Sequence, residues 1–470
     1  MSGKRAKQRR KATSKKSVKD KNPKEITVNL LKTVQILEKT VTQSLCDTVF
    51  KNTRSRERQR VWSLYELAQF WHAVILRAPQ SLTQALEAST MDIPGWPKVE
   101  ATPEAFFQRS RDLSWKFFRA LYQTFIERMA KISSEDFAQE WLGLRKRFSN
   151  LWIVDASRLD AIIHRLKILW QERGPILPGC LIACYDLLRG YAPVLHFSED
   201  AVESEFKLFE QILPQIPKNT LLIGDRLYAT AQDFKLLSDS GKWGLFRRRA
   251  NLKIRKIKCL SRQQCQGGVL EDWLVEVGTA PNTPRLTLRW IFLRLKKGGD
   301  YEWLTNVLEP ERLSAKEICE LYPDRWAIER LFYDLKEVLN LHRFYAANVN
   351  AVGMQVYAAA MVYTAMRVAQ AQIARQVGLE PGKISSEKFF PRMAAAVSVW
   401  TNLCCGAQAM KQSNRGVKLK EPRWDRMKFA CVRLEHILVE ERHGPRHDTR
   451  TVKKIRQWKS LSDVMAISKN

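Results

Sequence analysis

The sequence has few acidic residues for its size, with 49 Asp and Glu against 79 Lys and Arg and a formal net charge of +30. None of its 9 cysteines are spaced Cys-x-x-Cys, and no His pair accompanies a Cys pair, which argues against a zinc finger. We expect reduced, cytosolic thiols. No signal-type apolar run follows the basic N-terminus, and polar residues interrupt the most apolar stretch, 349–366. We therefore expect a buried helix there and no membrane partner.

The excess of positive charge favours a polyanionic partner such as DNA or RNA. Residues 1–24 carry many Lys and Arg against the single acid Asp20, as in disordered tails that bind polyanions or aid solubility. Apolar residues recur at helical spacing over 28–45, 61–76 and 106–126, and an arginine-rich segment spans 54–60. This predicts a helical DNA-binding domain over 25–145, in which aromatics such as Trp62 and Trp71 favour a core over base stacking.

From about residue 150 the pattern changes to strands. A strand over 151–154, a hairpin over 179–197, a strand over 220–224 and intervening helices indicate an α/β fold with a mixed sheet. Residues 242–308 read as a β-rich, basic insertion, in which Arg247, Arg248 and Arg249 are predicted to contact DNA. Ser314 and Glu317 form a capping box, and one helix is expected from Pro323 to about Asn340. The predicted domains are 1–24, a basic tail; 25–145, helical; 146–241, core; 242–310, insertion; 311–375, core; and 376–470, a helical region for dimerisation or DNA contact.

Three acids stand at informative places. Asp155 and Asp225 each follow a strongly apolar strand, and Glu329 lies in a predicted helix. At 100° per residue, Glu329 falls within roughly a sixth of the helix circumference together with Tyr322, Arg325 and Lys336. Carboxylates from separate elements are the ligands that Mg²⁺ and Mn²⁺ prefer. Taken singly, each acid is more often a loop cap or part of a solvated ion pair.

The combination resembles a known family. Tyr322, Arg325, Glu329 and Lys336 stand at the spacing of the YREK signature of bacterial insertion-sequence DDE transposases, in the family named after insertion sequence four. The blocks around Asp155 and Asp225 are similar to the other two acidic motifs of that family, although Leu227 stands where many members have glycine. The gaps are 225 − 155 = 70 and 329 − 225 = 104 residues, and the longer gap holds the β-rich insertion.

The resemblance implies a ribonuclease-H-like core in which Asp155, Asp225 and Glu329 bind two Mg²⁺ ions, with Mn²⁺ able to substitute. Tyr322, Arg325 and Lys336 would grip DNA phosphates. Trp303, in the insertion, would stack on a flipped base, unless it is a core residue. The implied reaction is cut-and-paste transposition through a DNA hairpin, by a homodimer on paired terminal inverted repeats, followed by joining to target DNA. The implied location is the cytoplasm, at the bacterial nucleoid.

Two alternatives share the same residues. One is a nuclease of the same fold that cleaves DNA without joining it. The other is a catalytically inactive or domesticated DNA-binding protein derived from a transposase. A general RNA-binding protein would leave the spacing of Tyr322, Arg325, Glu329 and Lys336 without an explanation.

Overall fold

The computed structural model describes residues 27–29, 40–53, 60–91, 93, 96–159, 179–265, 267–278, 283–296, 299–346, 348–396 and 431–439. The predicted basic tail 1–24, the arginines of 54–59 and most of the predicted C-terminal region 376–470 lie outside the described residues.

The N-terminal part is a group of helices with an aromatic core. Phe70 packs against Trp62, Trp71 and Phe106, all of them buried, so the prediction that Trp62 and Trp71 are core residues is confirmed. Ser63 caps its helix through a capping box with Glu66. The helices are α1 (Gln43–Thr53), α2 (Leu64–Arg77), α3 (Leu82–Thr90), α4 (Pro103–Asp112) and α5 (Lys116–Ile132), followed by a 3₁₀ helix at Gln139–Lys146.

The helix predicted from the periodicity over 28–45 is partly wrong. Residues Thr27–Asn29 form strand β1, which pairs antiparallel with the distant strand β11 at Cys431–Arg433. Residues 30–39 lie outside the described part of the chain, and Gln43–Thr53 is helical. A partner strand about 400 residues away overrides the local periodicity, and such pairing leaves no trace in the sequence nearby.

A mixed sheet forms the centre of the molecule. Among the described residues it has nine strands, in the order β4-β3-β2-β5-β6-β10-β9-β8-β7. The strands are β2 (Asn150–Arg158), β3 (Cys180–Asp186), β4 (Tyr191–Ser198), β5 (Thr220–Gly224), β6 (Trp243–Arg247), β7 (Ile254–Cys265), β8 (Gly268–Val277), β9 (Leu286–Leu295) and β10 (Asp300–Thr305). Strands β2, β5 and β6 run parallel, whereas β3 and β4 form the predicted antiparallel hairpin. The mixed α/β fold is therefore confirmed.

Two features of the predicted insertion differ from the structure. Strand β6 pairs parallel with β5 and so belongs to the central sheet, and β10 joins β6 to the remaining strands in one continuous sheet. Strand β7, 12 residues long, is not evident from the sequence pattern, because most of its residues are exposed and two bulges break its alternation.

Helices cover the sheet and connect it to the N-terminal part. Helices α6 (Glu205–Ile212) and α7 (Ala231–Asp239) pack on one side. Helix α10 (Val349–Val377) contacts α2, α4, α5 and β4, and nearly all of it is buried, so the predicted buried helix is confirmed. No helix in the described part of the chain has the length and apolar character needed to span a membrane.

The helix predicted over 323–340 is segmented. The capped helix before it is α8 (Ala315–Leu321). The predicted segment itself comprises a 3₁₀ turn (Tyr322–Trp326), α9 (Ala327–Tyr333) and a π-helical turn (Asp334–Val338). Pro323 lies in the 3₁₀ turn, where its missing N–H matters least. The prediction that Tyr322, Arg325, Glu329 and Lys336 share one face of an ideal helix therefore holds only in part. A π turn of this kind is frequent at functional sites.

Candidate active site

Two of the three predicted acids meet at the centre of the sheet. Strand β2 pairs parallel with β5, and the last paired residues are Ile153 and Ile223. Two residues beyond them come Asp155 and Asp225, so both carboxylates leave adjacent strands at the same edge. Asp155 lies within β2 rather than after it, since the strand continues to Arg158. Asp225 ends β5, and its Oδ1 caps the next turn by accepting from the Leu227 amide at 2.6 Å.

Glu329 reaches this edge from α9, which packs against β2 and β3. Arg325, one helical turn earlier, links it to the strand acids. Its guanidinium donates to Glu329 Oε1 at 2.8 Å and lies 3.9 Å from Asp155 Oδ2. A positive charge therefore already stands between two of the three acids.

The electrostatics of Asp155 reflect its crowded position. The pKa of Asp155 is raised to about 6, mainly by burial and also by the nearby carboxylates of Asp225 and Glu329, against the opposing effects of the Ala156 amide and Arg325. Although burial opposes the shift, contact with Glu329 and Asp155 raises the pKa of the Arg325 guanidinium. Burial is thus the main reason that the ionised form of Asp155 is disfavoured.

Tyr322 and Lys336 are close to the acids but are engaged with backbone. The Tyr322 hydroxyl donates to the Gly224 carbonyl at 3.1 Å, and burial raises the pKa of Tyr322 to about 12. The Lys336 ammonium donates to Ser157 Oγ at 2.7 Å and to the Arg158 carbonyl, and burial lowers its pKa. Both side chains therefore fix the strand ends that carry Asp155 and Asp225.

A cleft of about 710 Å³ opens beside Asp225. Arg226, Arg247 and Arg325 line it, and Trp326 stands at its side with 64% of its surface exposed, under the Arg325 guanidinium. Exposed aromatic and guanidinium groups beside an acidic site suit nucleic acid, because they offer stacking and charge together. Trp326 was not singled out in the sequence, although its position next to Arg325 was a usable signal.

Trp303, the predicted base-stacking residue, is enclosed by the protein. Its side chain is 1% exposed and packs with Tyr301 and Tyr322. A ring in this position has no open face for a base. The structure therefore favours the core alternative that the sequence left open.

The three arginines predicted to contact DNA differ in their surroundings. Arg247 lines the cleft beside Asp225. Arg248 pairs with Glu302 at 2.7 Å and donates to the Leu252 carbonyl, so it holds the sheet together. Arg249 lies near the buried carboxyl of Asp233. Burial raises the pKa of Asp233, and the positive charge of Arg249 opposes that rise. Arg248 is thus the one of the three that is already engaged in a short ion pair.

One acid near the site has no marker in the sequence. Glu205 is the first residue of α6, and burial together with the charges of Asp155 and Asp225 raises its pKa to about 7. Its Oε2 is buried and has no hydrogen-bond partner in the parts of the chain that the structure describes, and the same is true of the Tyr228 hydroxyl. In the sequence, Glu205 follows the N-cap residue Ser204, where an acid commonly interacts with the positive end of the helix dipole. For this reason the sequence pattern does not mark it as a site residue.

The donor set fits a divalent cation. In the structure's described parts, no three His, Cys, Asp or Glu side chains are close enough to hold one ion as they stand. Asp155 and Asp225, however, are adjacent hard oxygen donors with an unpaired buried carboxylate oxygen nearby. Asp155 and Asp225 would hold the ion, and Glu329 would join them on release from Arg325.

The comparison with known families bears directly on this edge of the sheet. Residues 180–365 match the transposase DDE domain. The matched region contains Asp225, Tyr322, Arg325, Glu329 and Lys336, whereas Asp155 precedes it and is placed beside Asp225 by strand pairing. A DDE domain of this kind cleaves or transfers DNA strands and generally uses divalent metal.

The sequence is also similar to curated proteins. It is 25% identical over 203 residues to a probable transposase for insertion sequence element IS5377 of Geobacillus stearothermophilus, covering 43% of this chain and 53% of that one. It is 26% identical over 180 residues to a putative transposase for insertion sequence element IS4SA of Synechocystis, covering 37% and 48%. The chain thus spans about half the length of the curated relatives it matches. Together, these matches support an insertion-sequence transposase.

Among solved structures, a piggyBac transposase synaptic complex with hairpin DNA superposes with a TM-score of 0.39 at 10% identity, covering 91% of this chain and 89% of that one.

Proposed function

We propose that the protein is a DDE transposase of the insertion-sequence-four type, which moves an insertion sequence by cut-and-paste transposition. The observation that carries the proposal is the pairing of β2 with β5, which sets Asp155 beside Asp225, together with Arg325, which ties Glu329 to the same edge. The mixed sheet, with a hairpin antiparallel and two later strands parallel to β2, supports a ribonuclease-H-like core.

In this proposal Asp155, Asp225 and Glu329 bind two Mg²⁺ ions, with Mn²⁺ as a substitute. When bound, such ions activate a nucleophile and stabilise the leaving oxygen of a phosphodiester. The protein's own residues orient the DNA. Arg325 exchanges its carboxylate partners for a phosphate, and its planar guanidinium suits that contact.

The DNA follows the cleft beside Asp225. Arg247, Arg249 and Arg325 supply positive charge, and Trp326 offers an exposed ring on which a base can stack. Tyr322 and Lys336 remain predicted contacts to DNA phosphates. To bind a phosphate, Tyr322 must first break its hydrogen bond to the Gly224 carbonyl, and Lys336 must break its hydrogen bond to the Arg158 carbonyl at the end of β2. The substrates are the terminal inverted repeats of the element and then target DNA, and two copies of the chain pair the two ends at the nucleoid.

The chemistry proceeds as a series of phosphoryl transfers at one site. Water cleaves one strand, and the freed 3′-hydroxyl attacks the opposite strand, which forms a hairpin and releases the flanking DNA. A second water opens the hairpin and restores the 3′-hydroxyl. The same 3′-hydroxyl then joins target DNA. The proposed division of the chain follows this use, with 25–145 and 376–470 for DNA or partner contact around a core at 146–375.

The test uses linear DNA that carries the ends flanking this reading frame, incubated with the full chain and Mg²⁺. We expect nicking, a hairpin and, with pre-cleaved ends, joined products. Asp155→Asn, Asp225→Asn or Glu329→Gln should lower the rate by about 1000-fold or more, because several kcal/mol of transition-state stabilisation disappear. Asp239→Asn, at an exposed carboxylate of α7, is the control and should retain activity.

The outcomes separate the alternatives. Hydrolysis of pre-cleaved ends without joining would favour a nuclease of the same fold. Specific binding of the ends with no cleavage by the wild type would favour a domesticated binding protein. Equal rates for wild type and Asp155→Asn would contradict the proposed site.

A further inference from the structure

A long-range hydrogen bond holds the turn that precedes the Glu329 helix. The indole Nε1 of Trp141 donates to Asp324 Oδ2 at 2.5 Å, across 183 residues of sequence. Trp141 lies in the 3₁₀ helix Gln139–Lys146, which precedes β2, and Asp324 lies in the 3₁₀ turn Tyr322–Trp326. Because a carboxylate accepts it, this bond belongs to the stronger class of protein hydrogen bonds. It therefore ties the chain that enters β2 to the turn.

A short 3₁₀ turn depends on such anchors, since its own hydrogen bonds have poorer geometry than those of an α-helix. Among the described residues, no side chain caps the start of this turn. The Tyr322 hydroxyl holds its first residue to the Gly224 carbonyl at 3.1 Å, and the Tyr322 ring packs edge-on against Trp303. Trp141 holds Asp324, two residues later. The turn is thus fixed on two sides, at the end of β5 and at the chain before β2.

The two residues that follow Asp324 face the cleft. Arg325 and Trp326 line it, and the guanidinium carbon of Arg325 lies 5.1 Å from the centre of the Trp326 ring. Asp324 and Trp141 are not part of the cleft wall, and their contact lies on the other side of the turn. Asp324 is therefore placed to act on DNA through its neighbours and not by touching it.

We propose that Trp141 and Asp324 are positioning residues, whose hydrogen bond presents Arg325 and Trp326 to the DNA substrate in their bound positions. The inference rests on the proposed function, because it concerns residues that support the proposed DNA contacts. Fixing a contact residue before the ligand arrives lowers the entropic cost of binding. When the bond is lost, the turn is ordered only as DNA binds, and the affinity for DNA falls.

The experiment measures binding of the full chain, in EDTA, to labelled DNA that carries the ends flanking this reading frame, by fluorescence anisotropy. Trp141→Phe removes the N–H donor and keeps an aromatic ring. Asp324→Leu removes the acceptor, and its matched control is Asp324→Asn, which removes the same charge but keeps an oxygen that can accept from Trp141. We expect Trp141→Phe and Asp324→Leu each to raise the Kd by about 5–10-fold, and Asp324→Asn to stay within about 2-fold of the wild type.

The comparison of the two Asp324 variants separates position from charge. Loss of a negative charge near the cleft would by itself strengthen DNA binding, and it would do so equally in Asp324→Asn and Asp324→Leu. Equal Kd values for these two variants would therefore overturn the inference.

A second readout separates a positioning residue from a structural one. In a chain that already carries Arg325→Gln and Trp326→Ala, Trp141→Phe should raise the Kd by less than about 2-fold, because the groups that it positions are gone. The measurement is made at low salt, where the remaining cations keep binding measurable. The full increase in this background would make Trp141 a structural residue and contradict the inference.

Trp243→Phe is the control for the loss of an indole hydrogen bond elsewhere. Its Nε1 donates to Asn219 Oδ1 at 3.0 Å, at the start of β6 and so at the opposite end of that strand from Arg247. Both Trp243→Phe and Trp141→Phe should lower the unfolding temperature by no more than about 4 °C. Only Trp141→Phe should weaken DNA binding, and equal weakening by both would show a general loosening of the fold instead.

The outcomes also distinguish this inference from the proposed function. If the wild type binds and cleaves the ends while Trp141→Phe and Asp324→Leu bind them equally well, the inference fails and the proposed function stands. If the wild type binds the ends no better than unrelated DNA, the proposed function fails and the inference fails with it.

Discussion

The two halves of the central sheet differ in burial and in charge. Every residue of β3 and β5 is buried, and the acids leave this half at the end of parallel strands. Strand β7, at the opposite edge, exposes most of its residues, among them Lys256, Lys258 and Arg262. One half thus places the carboxylates at the end of a buried core, while the other presents positive charge to solvent.

The difference shows how one sheet can serve two tasks. Cleavage of a phosphodiester requires carboxylate ligands that are held in fixed positions. Buried parallel strands provide such positions, because their ends are held by the core. Non-specific attraction of a polyanion requires only exposed cations, which an edge strand provides at little cost to the fold. A junction must keep the halves together, and three experiments probe the junction, the buried half and the exposed half in turn.

The largest effect is expected at the junction. Arg289 of β9, with none of its side chain exposed, pairs with Asp272 of β8 at 2.6 Å and donates to the carbonyls of Val307 and Leu313. Arg289→Met leaves a carboxylate buried without its partner, so the free energy of unfolding in urea should fall by about 3–5 kcal/mol. The outer strands would then loosen from the segment that leads into α8.

Two comparisons check that prediction. Arg294→Met, at an exposed arginine of the same strand, should change stability by less than about 0.5 kcal/mol. The double change Arg289→Met with Asp272→Leu should recover part of the stability, since no charge is left unpaired. Equal destabilisation by Arg289→Met and Arg294→Met would mean that the buried pair does not join the halves.

A smaller effect is expected in the buried half, as a pH dependence of stability without metal. The pKa of Asp155 is about 6 in the fold against an ordinary 3.8, so the folded protein holds this proton more tightly than the unfolded chain. The free energy of unfolding should therefore fall as pH rises from about 4 to above 6. Asp155→Asn lacks the titrating carboxyl, so its free energy of unfolding should not show this decline. The difference in free energy of unfolding between Asp155→Asn and the wild type should therefore be about 1–3 kcal/mol larger at pH 7.5 than at pH 4.5.

Urea unfolding in EDTA at the two pH values provides the measurement, with Asp239→Asn to show what removal of one surface charge does. A stability difference between Asp155→Asn and the wild type that is the same at both pH values would show that folding does not raise the pKa of Asp155. Added Mn²⁺ should stabilise the wild type at pH 7.5 and have little effect on Asp155→Asn.

The smallest effect is expected in the exposed half. Lys253 and Lys258 are exposed at and near the start of β7. Replacing both with Gln should reduce the dependence of DNA affinity on log salt concentration by about 2, since each lysine that no longer binds a phosphate lowers the slope by about 1. The cleavage rate at saturating protein should not change, and Lys235→Gln on α7 should leave the slope as it is. A slope equal to that of the wild type would place the DNA elsewhere.

Much of the fold was predictable because local patterns agreed with their final environment. The strand Thr220–Gly224 and the β3–β4 hairpin follow from apolar runs and Arg189-Gly190, and both elements are buried as such runs require. Strand β1 was not predictable because pairing with a strand about 400 residues away makes it a strand. Strand β7 was not predictable because most of its residues are exposed and two bulges break its alternation. The division of the helix around Glu329 into segments was not predictable from the sequence, because its 3₁₀ and π turns follow from packing.

The sequence by itself determined the charge of the molecule, the mixed α/β class, and the identity of Asp155, Asp225 and Glu329 as the acids to examine. Residue type and spacing are local properties and can be read directly. Tertiary structure alone decided that Arg325 links Glu329 to Asp155, and that Trp303 is buried while Trp326 is exposed. Those facts depend on which faces meet across distant strands and helices, and no stretch of sequence records which surfaces will be buried against each other.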